Sequence, residues 1–251
     1  MLRYFLELAY DGTAYNGWQI QPHSPSVQEA LQRGLSTILR TPTEVVGAGR
    51  TDTGVHASFY VAHFDVERPI DSAADFCYHL NAVLPPDIAV SALRRVREGA
   101  HARFDARLRE YRYYVSPRKN PFTRDRAYTL TYPLDGAAMN EAAAELLRYK
   151  DFTSFAKLHS NNRTNRCQVV RAQWEQQEGL WVFTIAADRF LRNMVRAIVG
   201  TLLDVGRGKL SREDFCRVIE GGDRRLAGTS APPQGLFLSR VEYPDDIYET
   251  E

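Results

Sequence analysis

Hydrophobic and polar positions along the chain follow two periods, and each period predicts one kind of element. Alternation or enrichment in β-branched and aromatic residues predicts strands, at residues 2–10, 43–46, 58–64, 88–96, 108–116, 168–176, 180–186 and 236–243. Apolar residues that recur every three or four positions predict helices, at residues 26–40, 71–82, 135–147, 190–205 and 211–220. Each half of the chain therefore runs strand, helix, strand, strand, helix, strand, with deviations, although no sequence repeat accompanies this order.

The predicted helices have distinct signals at their ends and along their faces. Ser26 and Glu29 form a capping-box pattern at the start of the first helix. The helix at 190–205 has the clearest apolar face, and Arg189, Arg192 and Arg196 fall together along the edge of that face. Such a row of arginines is either a solvated rim or a line of anion contacts.

The element order predicts the α+β class. Residues 99–104 interrupt the pattern, so we predict an N-terminal domain at 1–100 and a C-terminal domain at 101–251. The expected fold has two related, ferredoxin-like α+β halves that form a mixed, mostly antiparallel sheet. Helices would lie on one face of that sheet, and a basic active-site cleft would lie at its centre.

Composition is that of an ordinary globular protein, with 44% hydrophobic and 25% charged residues. No apolar run approaches the roughly 20 residues that span a bilayer, and the N-terminus lacks the layout of a signal peptide. Cys77, Cys167 and Cys216 lie far apart without a CxxC pair, which favours free thiols in a reducing compartment. We therefore expect a cytoplasmic protein without a membrane partner.

The net charge of +1 conceals basic stretches. Residues 94–126 hold eleven Lys or Arg against four acids, with Phe104, Tyr111, Tyr113, Tyr114 and Phe122 interleaved. A second cluster consists of Lys157, Arg163, Arg166 and Arg171. This pattern favours one cationic face for nucleic acid, and the alternative is that the arginines only coat strand edges and solvated faces.

A glycine-rich loop at residues 47–57 lies between the strands predicted at 43–46 and 58–64. Its glycines indicate a tight turn or a close approach by a ligand. One interpretation is a polar hairpin turn in which Asp52 caps its own backbone. The other is catalytic, because Arg50 and Asp52 share a face of an extended loop, and a nearby guanidinium favours the ionised carboxylate that a nucleophile requires.

Several kinds of chemistry have no signal in the sequence. There is no GxGxxG after a strand, no Walker loop and no cluster of His, Cys, Asp or Glu with metal-ligand spacing. No Ser/His/Asp set is visible, although order along the chain does not exclude one. The sequence therefore predicts neither a metal site nor a cofactor, and leaves a loop carboxylate, arginines and tyrosines.

Six segments of the chain carry a resemblance to a known family; they are residues 10–19, 49–57, 101–104, 110–113, 190–200 and 227–236. In this order they resemble the motifs YDGTxYxGWQ, GRTDxGVHA, HARF, YRY, F-hhMVRxxxG and AGxTAPPxGL of the TruA family of tRNA pseudouridine synthases. One departure is Lys150, which stands where the family often has the His of a His-Asp-Phe sequence. It puts a role for that His in doubt and leaves the other matches intact.

The resemblance implies a reaction and a set of roles. Uridine in tRNA would be isomerised to pseudouridine without a cofactor, by breaking the N1–C1′ bond, rotating the base and joining C5 to the ribose. Asp52 would be the nucleophile, Arg196 would pair with it, and Tyr111 would pack on the flipped base near the C5 proton. Arg50 would occupy the vacated space and contact phosphate, and Leu236 would form an apolar wall of the base pocket.

The resemblance also implies partners and leaves alternatives. The expected substrate is the anticodon stem-loop of tRNA, at uridines near positions 38 to 40, bound by a homodimer. One alternative is a non-catalytic RNA-binding module of the same fold, and another is a pseudouridine synthase that acts on a different RNA. A hydrolase that uses Asp52 is a third, although a second carboxylate at glycosidase spacing is not recognisable.

Overall fold

The structure is a computed structural model that describes residues 1–157 and 164–249. It divides the chain into two compact units. Unit 1 consists of Met1–Arg107 with Leu238–Glu251, and unit 2 consists of Leu108–Phe237. The division into domains at 1–100 and 101–251 stays a prediction.

Unit 1 is a β-sheet with two helices. Its elements are β1 (Leu2–Tyr10), α1 (Val27–Leu39), β2 (Val46–Gly47), β3 (His56–Val66), α2 (Ala73–Val83), β4 (Ile88–Val96) and most of β9 (Leu236–Glu242). The strand order is β4-β1-β3-β9, and β2 also pairs with β3. Phe5, Leu6 and Tyr60 are fully buried in this unit, together with Leu31 and Leu35 of α1.

Unit 2 contains a second sheet region and three helices. Its elements are β5 (Leu108–Ser116), β6 (Tyr128–Thr129), α3 (Gly136–Glu145), β7 (Val169–Gln177), β8 (Leu180–Ala187), α4 (Met194–Gly206) and α5 (Arg212–Glu220). The strand order is β5-β8-β7, and β6 pairs in parallel with β5. Glu178 and Gly179 join β7 to β8 with φ angles of 51° and 79°, the positive values that a two-residue hairpin turn requires.

The two units repeat one pattern of strand pairing. In unit 1 the first strand β1 pairs with β3, which also pairs with β2. In unit 2 the first strand β5 pairs with β8, which also pairs with β7. The predicted α+β class and its mixed, mostly antiparallel pairing are confirmed, and the repeated pairing matches the expected duplication. In the described part of the chain, no helix is long and apolar enough to cross a bilayer.

Helix α1 forms where its sequence predicts. Ser26 is the N-cap, with extended φ and ψ angles of −136° and 153°, and its side chain accepts the Glu29 N–H. The helix ends at Arg40, whose φ of 55° is left-handed. A capping box with both reciprocal bonds occurs at α5 instead, between Ser211 and Asp214.

The helix predicted at 190–205 begins later than its apolar pattern indicates. Asn193 adopts a left-handed conformation with a φ of 65°, and α4 starts only at Met194. The periodicity does not detect this interruption, because residues 191–194 form a turn in which Met194 N–H donates to Leu191 O over 3.1 Å. Arg189 and Arg192 therefore precede the helix. The prediction that Arg189, Arg192 and Arg196 form a row along one helix edge is wrong.

Candidate active site

The loop at residues 48–55 joins β2 to β3 and is held by β3 from one side. Ala48 N–H donates to Val61 O over 2.8 Å. The Tyr60 hydroxyl donates to Gly49 O and accepts the Gly49 N–H. Trp18 stacks on Tyr60 with 4.2 Å between ring centroids. The start of the loop is therefore fixed by hydrogen bonds to a buried tyrosine.

The segment after β1 holds the same loop from the other side. Tyr10 OH and Thr51 Oγ1 are hydrogen bonded at 2.9 Å. Trp18 N–H donates to Thr51 O over 3.4 Å, and Gly54 N–H donates to Tyr15 O over 3.2 Å. The residues on either side of Asp52 are thus anchored by the backbone of a second loop.

Two glycines make this close contact between the loops possible. A Cβ added at Gly12 would lie 2.0 Å from Val55 O, and one at Gly17 would lie 2.2 Å from Thr51 O. Gly17 also has a φ of 84°, which a residue with a side chain adopts only with strain. Two of the six segments that resemble family motifs, 10–19 and 49–57, therefore meet through backbone atoms.

His56, the first residue of β3, is buried and contacts the segment after β1. Its Nδ1 accepts the Gly12 N–H over 3.0 Å and lies 3.2 Å from Asp11 Oδ1. A ring nitrogen that accepts an amide hydrogen cannot also donate, so the contact with Asp11 is not a hydrogen bond from this atom. We assign His56 Nδ1 as the acceptor, because the position of the amide hydrogen is fixed by the backbone.

The residues of the loop differ in exposure. Thr51 and Val55 are buried, whereas Asp52 is half-buried and Arg50 is exposed. The anchoring residues thus face inward, and the carboxylate and the guanidinium of the predicted pair are presented at the surface of unit 1.

In unit 2, Arg196 is bound to the loop that precedes β9. Its Nε donates to Ala231 O over 2.7 Å, and Ala231 N–H donates back to Arg196 O over 2.9 Å. One turn later, a Cβ added at Gly200 would lie 1.8 Å from Thr229 O. Gly200 therefore lets this loop lie directly against α4, and Ala231 fixes part of the Arg196 side chain.

Tyr111 is half-buried in β5, opposite Ile185 of β8. Its ring meets that of Phe190 edge to face, with 5.2 Å between centroids and 87° between planes. Phe190 precedes the turn at residues 191–194 and lies outside α4, although the apolar pattern predicts it in the helix.

Tyr113 lies two residues further along β5 and connects the strand to the same loop. It is fully buried, and its hydroxyl donates to Pro232 O over 2.8 Å. Burial raises the pKa of Tyr113, and the positive charge of Arg196 opposes that rise. Leu236, the first residue of β9, is buried as well.

The predicted site residues therefore fall into two groups. Arg50 and Asp52 share the loop of unit 1, whereas Tyr111, Arg196 and Leu236 belong to unit 2. Their convergence on one uridine stays a prediction. Lys150, at the position of the family His, is exposed.

Some basic residues of these stretches fit the strand-edge interpretation, and others fit the nucleic-acid interpretation. Arg94 pairs with Glu7 at 3.0 Å, and Arg95 pairs with Glu249 at 2.6 Å, which fits the strand-edge interpretation. Arg118 and Lys119 are exposed in the loop after β5, which fits the nucleic-acid interpretation. Arg163 of the second cluster lies outside the described residues.

Sequence reasoning did not single out several residues that build the two loops. Tyr10 and Tyr60 belong to predicted strands, and Asn193 was placed within a helix. Their contacts join positions far apart in the sequence, so no local pattern reveals them. The resemblance to the family motifs is the available signal, because Tyr10, Gly12 and Gly17 lie in the segment 10–19 and Asn193 lies in the segment 190–200. Among the residues that the structure describes, no group of three or more His, Cys, Asp or Glu could hold a metal ion.

Comparisons with known proteins agree with this architecture. A family model described as tRNA pseudouridine synthase matches residues 8–105 and 142–244. A protein named tRNA pseudouridine synthase A from Bacteroides thetaiotaomicron is 59% identical over 100% of this chain and 94% of its own length. Proteins of the same name from Porphyromonas gingivalis and Bacillus subtilis are 53% and 42% identical, over 99% and 94% of this chain and 100% and 97% of their own lengths.

Proposed function

Because this chain belongs to the tRNA pseudouridine synthase family, we propose that it isomerises uridine to pseudouridine in tRNA. The observation that carries the proposal is the match over almost the whole chain, which includes the anchored loop around Asp52. The enzyme is then an isomerase that breaks and forms a glycosidic bond within one nucleotide.

Asp52 is the nucleophile of the proposed reaction. Its loop is fixed by hydrogen bonds between Tyr60 and Gly49 and between Tyr10 and Thr51. Its carboxylate therefore needs little rearrangement to meet a flipped nucleotide. Asp52 bonds to ribose C1′ or to base C6 and is released again before the product is complete. The N1–C1′ bond breaks, the base rotates, and a C5–C1′ bond forms while the C5 proton leaves and N1 gains one. No atom is gained or lost overall.

The remaining predicted residues assist in distinct ways. Arg196 pairs with Asp52 and favours its ionised form. Tyr111 packs on the flipped base and lies close to the proton that leaves C5. Arg50 occupies the space that the base vacates and contacts phosphate, and Leu236 lines the base pocket. Flipping a base costs a few kcal/mol, and these contacts offset that cost.

The substrate and assembly follow from the same resemblance. The proposed targets are uridines near positions 38 to 40 in the anticodon stem-loop, and the proposed working form is a cytoplasmic homodimer. Light scattering during size-exclusion chromatography tests the assembly, because a homodimer has twice the mass of the 28.6 kDa chain. A monomeric mass at micromolar concentration would contradict it.

The reaction type is tested by the fate of the base. We expect an unmodified tRNA anticodon stem-loop to gain pseudouridine without any change in RNA mass and without release of free uracil. Release of uracil would indicate a hydrolase that uses Asp52. Binding of the RNA with neither product would indicate a non-catalytic module. Pseudouridine formation only in another RNA would mean that the anticodon stem-loop is not the substrate.

A further inference from the structure

Arg224 makes three hydrogen bonds to the loop that holds Arg196. One terminal nitrogen lies 3.2 Å from Ala227 O and 3.1 Å from Gly228 O, and the other lies 2.8 Å from Ser230 Oγ. The planar guanidinium thus spans four residues of the loop with its fork of donors. Lysine has no equivalent geometry.

The environment of Arg224 is unusual for a structural arginine. The residue is half-buried, and burial lowers its pKa without any opposing contribution from a carboxylate. In the part of the chain that the structure describes, Arg224 has no acidic partner. Its neighbour Arg225, by contrast, is exposed and pairs with Asp223 at 2.6 Å. The Arg224 guanidinium is therefore partly desolvated, and it binds neutral loop oxygens rather than a carboxylate.

The same loop is tied to α4 beside Arg196. Asn193, which precedes α4, donates from Nδ2 to Ser230 Oγ over 2.7 Å. Ser230 therefore receives donors from both Arg224 and Asn193, and it is followed directly by Ala231, which accepts the Arg196 Nε–H. Gly228 N–H also donates to Thr201 Oγ1 over 3.0 Å, which adds a second attachment of the loop to α4.

We propose that Arg224 is a positioning residue that acts through Ser230 and Ala231 to hold the Arg196 guanidinium in place. The inference rests on the proposed function, since it takes Arg196 as the partner of the reacting carboxylate. Side chains act in catalysis only when held close to productive geometry. Asn193 supports the same loop. Its left-handed backbone interrupts the helix, and its side-chain amide donates to Ser230 Oγ.

The test compares Arg224→Ala and Arg224→Lys with Arg225→Ala as the matched control. The kcat and KM for pseudouridine formation are measured on an anticodon stem-loop RNA, in the wild-type background and in an Arg196→Lys background. We expect Arg224→Ala to lower kcat about tenfold and to change KM less than about threefold. Arg224→Lys should recover little of this loss, and Arg225→Ala should retain the wild-type kcat.

The Arg196→Lys background distinguishes positioning from general stability. If Arg224 acts through Arg196, then Arg224→Ala in the Arg196→Lys background should lower kcat less than about twofold. The guanidinium that Arg224 would position is already absent in that background. The same tenfold loss in both backgrounds would overturn the proposal. A loss confined to KM would also overturn it, and would make Arg224 a phosphate contact instead.

Hydrogen exchange gives a second readout that does not depend on activity. Peptides covering residues 227–236 should exchange faster in Arg224→Ala than in the wild type or in Arg225→Ala, while peptides from the middle of α4 remain protected. Unchanged exchange at 227–236 would overturn the proposal. Wild-type protein that binds the RNA but makes no pseudouridine would refute the proposed function, whereas an active wild type with an equally active Arg224→Ala would refute only this inference.

Discussion

Single glycines decide whether the Asp52 loop can form. The backbone of the segment after β1 touches the loop at Val55 O and Thr51 O, at distances that no Cβ tolerates. Gly49, in the loop itself, has open space where a Cβ would stand. Gly12 and Gly17 therefore cannot accept a side chain unless the loop moves, whereas Gly49 has room for one. The sequence alone does not distinguish these glycines.

We expect Gly12→Ala to destabilise the protein by roughly 1–3 kcal/mol, the usual range for overpacking. The added Cβ would meet the Val55 carbonyl, a backbone atom that can yield only if the loop moves. Gly49→Ala is the matched control and should change the free energy of unfolding by less than about 1 kcal/mol. Urea denaturation measures both. Equal stability of the two variants would show that the loops do not pack as described.

His63 is a buried histidine in unit 1 whose charge state is linked to stability. Its Nδ1 accepts the Ala102 N–H over 3.1 Å, so this nitrogen is unprotonated. Burial first, and then the charges of Arg3 and His101, lower the pKa of His63 to about 4, against weaker opposing effects of Asp65 and Asp105. The folded protein therefore binds this proton less readily than the unfolded chain does.

Stability should consequently fall as the pH drops from about 6.5 towards about 4. Above that window both states carry a neutral His63, and within it only the unfolded chain takes up the proton. The expected loss between pH 7 and pH 5 is about 2 kcal/mol from this group. His63→Gln, which keeps an acceptor, should remove that part of the pH dependence in urea denaturation. An unaltered dependence would mean that His63 titrates normally.

At the scale of elements, the sequence predicts most helices and strands but not all their limits. Strands 2–10, 88–96 and 108–116 are confirmed almost residue for residue, since their alternation reflects burial on one face. The start of α4 was placed wrongly because apolar periodicity continues through Asn193 while the backbone turns there. The pair Tyr128–Thr129 was missed because two residues are too few to form a pattern.

The sequence likewise predicts some features of the candidate site and not others. The sequence locates the glycine-rich loop before the strand β3, which the structure confirms, but the strand predicted at 43–46 is reduced to the two residues of β2, Val46–Gly47. It does not reveal that Tyr60 holds Gly49 or that Arg224 holds the loop beside Arg196. Those contacts depend on how distant segments pack, and local residue patterns contain no information about them.

The loop after β5 carries an exposed aromatic ring among cations. Phe122 is 92% exposed, yet its turn is ordered, because Asn120 Oδ1 accepts the Phe122 N–H over 3.0 Å and Thr123 O accepts the Ala127 N–H over 2.9 Å. Arg118 and Lys119 are exposed in the same loop. An ordered aromatic residue beside cations suits stacking on an RNA base.

We therefore expect Phe122→Ala to raise the Kd for a tRNA transcript roughly tenfold, the scale of one lost base stack. Phe122→Trp should retain the affinity, because it keeps an aromatic face. Tyr78→Ala is a suitable control, since Tyr78 is also largely exposed but lies on α2 away from a basic stretch. Filter binding at fixed salt measures all three. Affinity unchanged by Phe122→Ala would exclude this loop from the RNA-binding surface.

At the scale of the whole molecule, the two units contribute different parts of one proposed reaction. Unit 1 supplies the loop of Asp52, and unit 2 supplies Tyr111 and Arg196. The repeated strand pairing fits the expected duplicated unit. The family match extends over both units, as expected if neither unit is sufficient alone.

The most direct test of the account is pseudouridine mapping on an unmodified tRNA anticodon stem-loop incubated with wild type and with Asp52→Asn, without added cofactor. Asparagine keeps the shape of the side chain but removes its charge, so the loop and RNA binding should persist. We predict pseudouridine near positions 38 to 40 with the wild type and none with Asp52→Asn, at comparable RNA affinity. Turnover by Asp52→Asn at a rate near that of the wild type would contradict the assignment of Asp52 as the nucleophile.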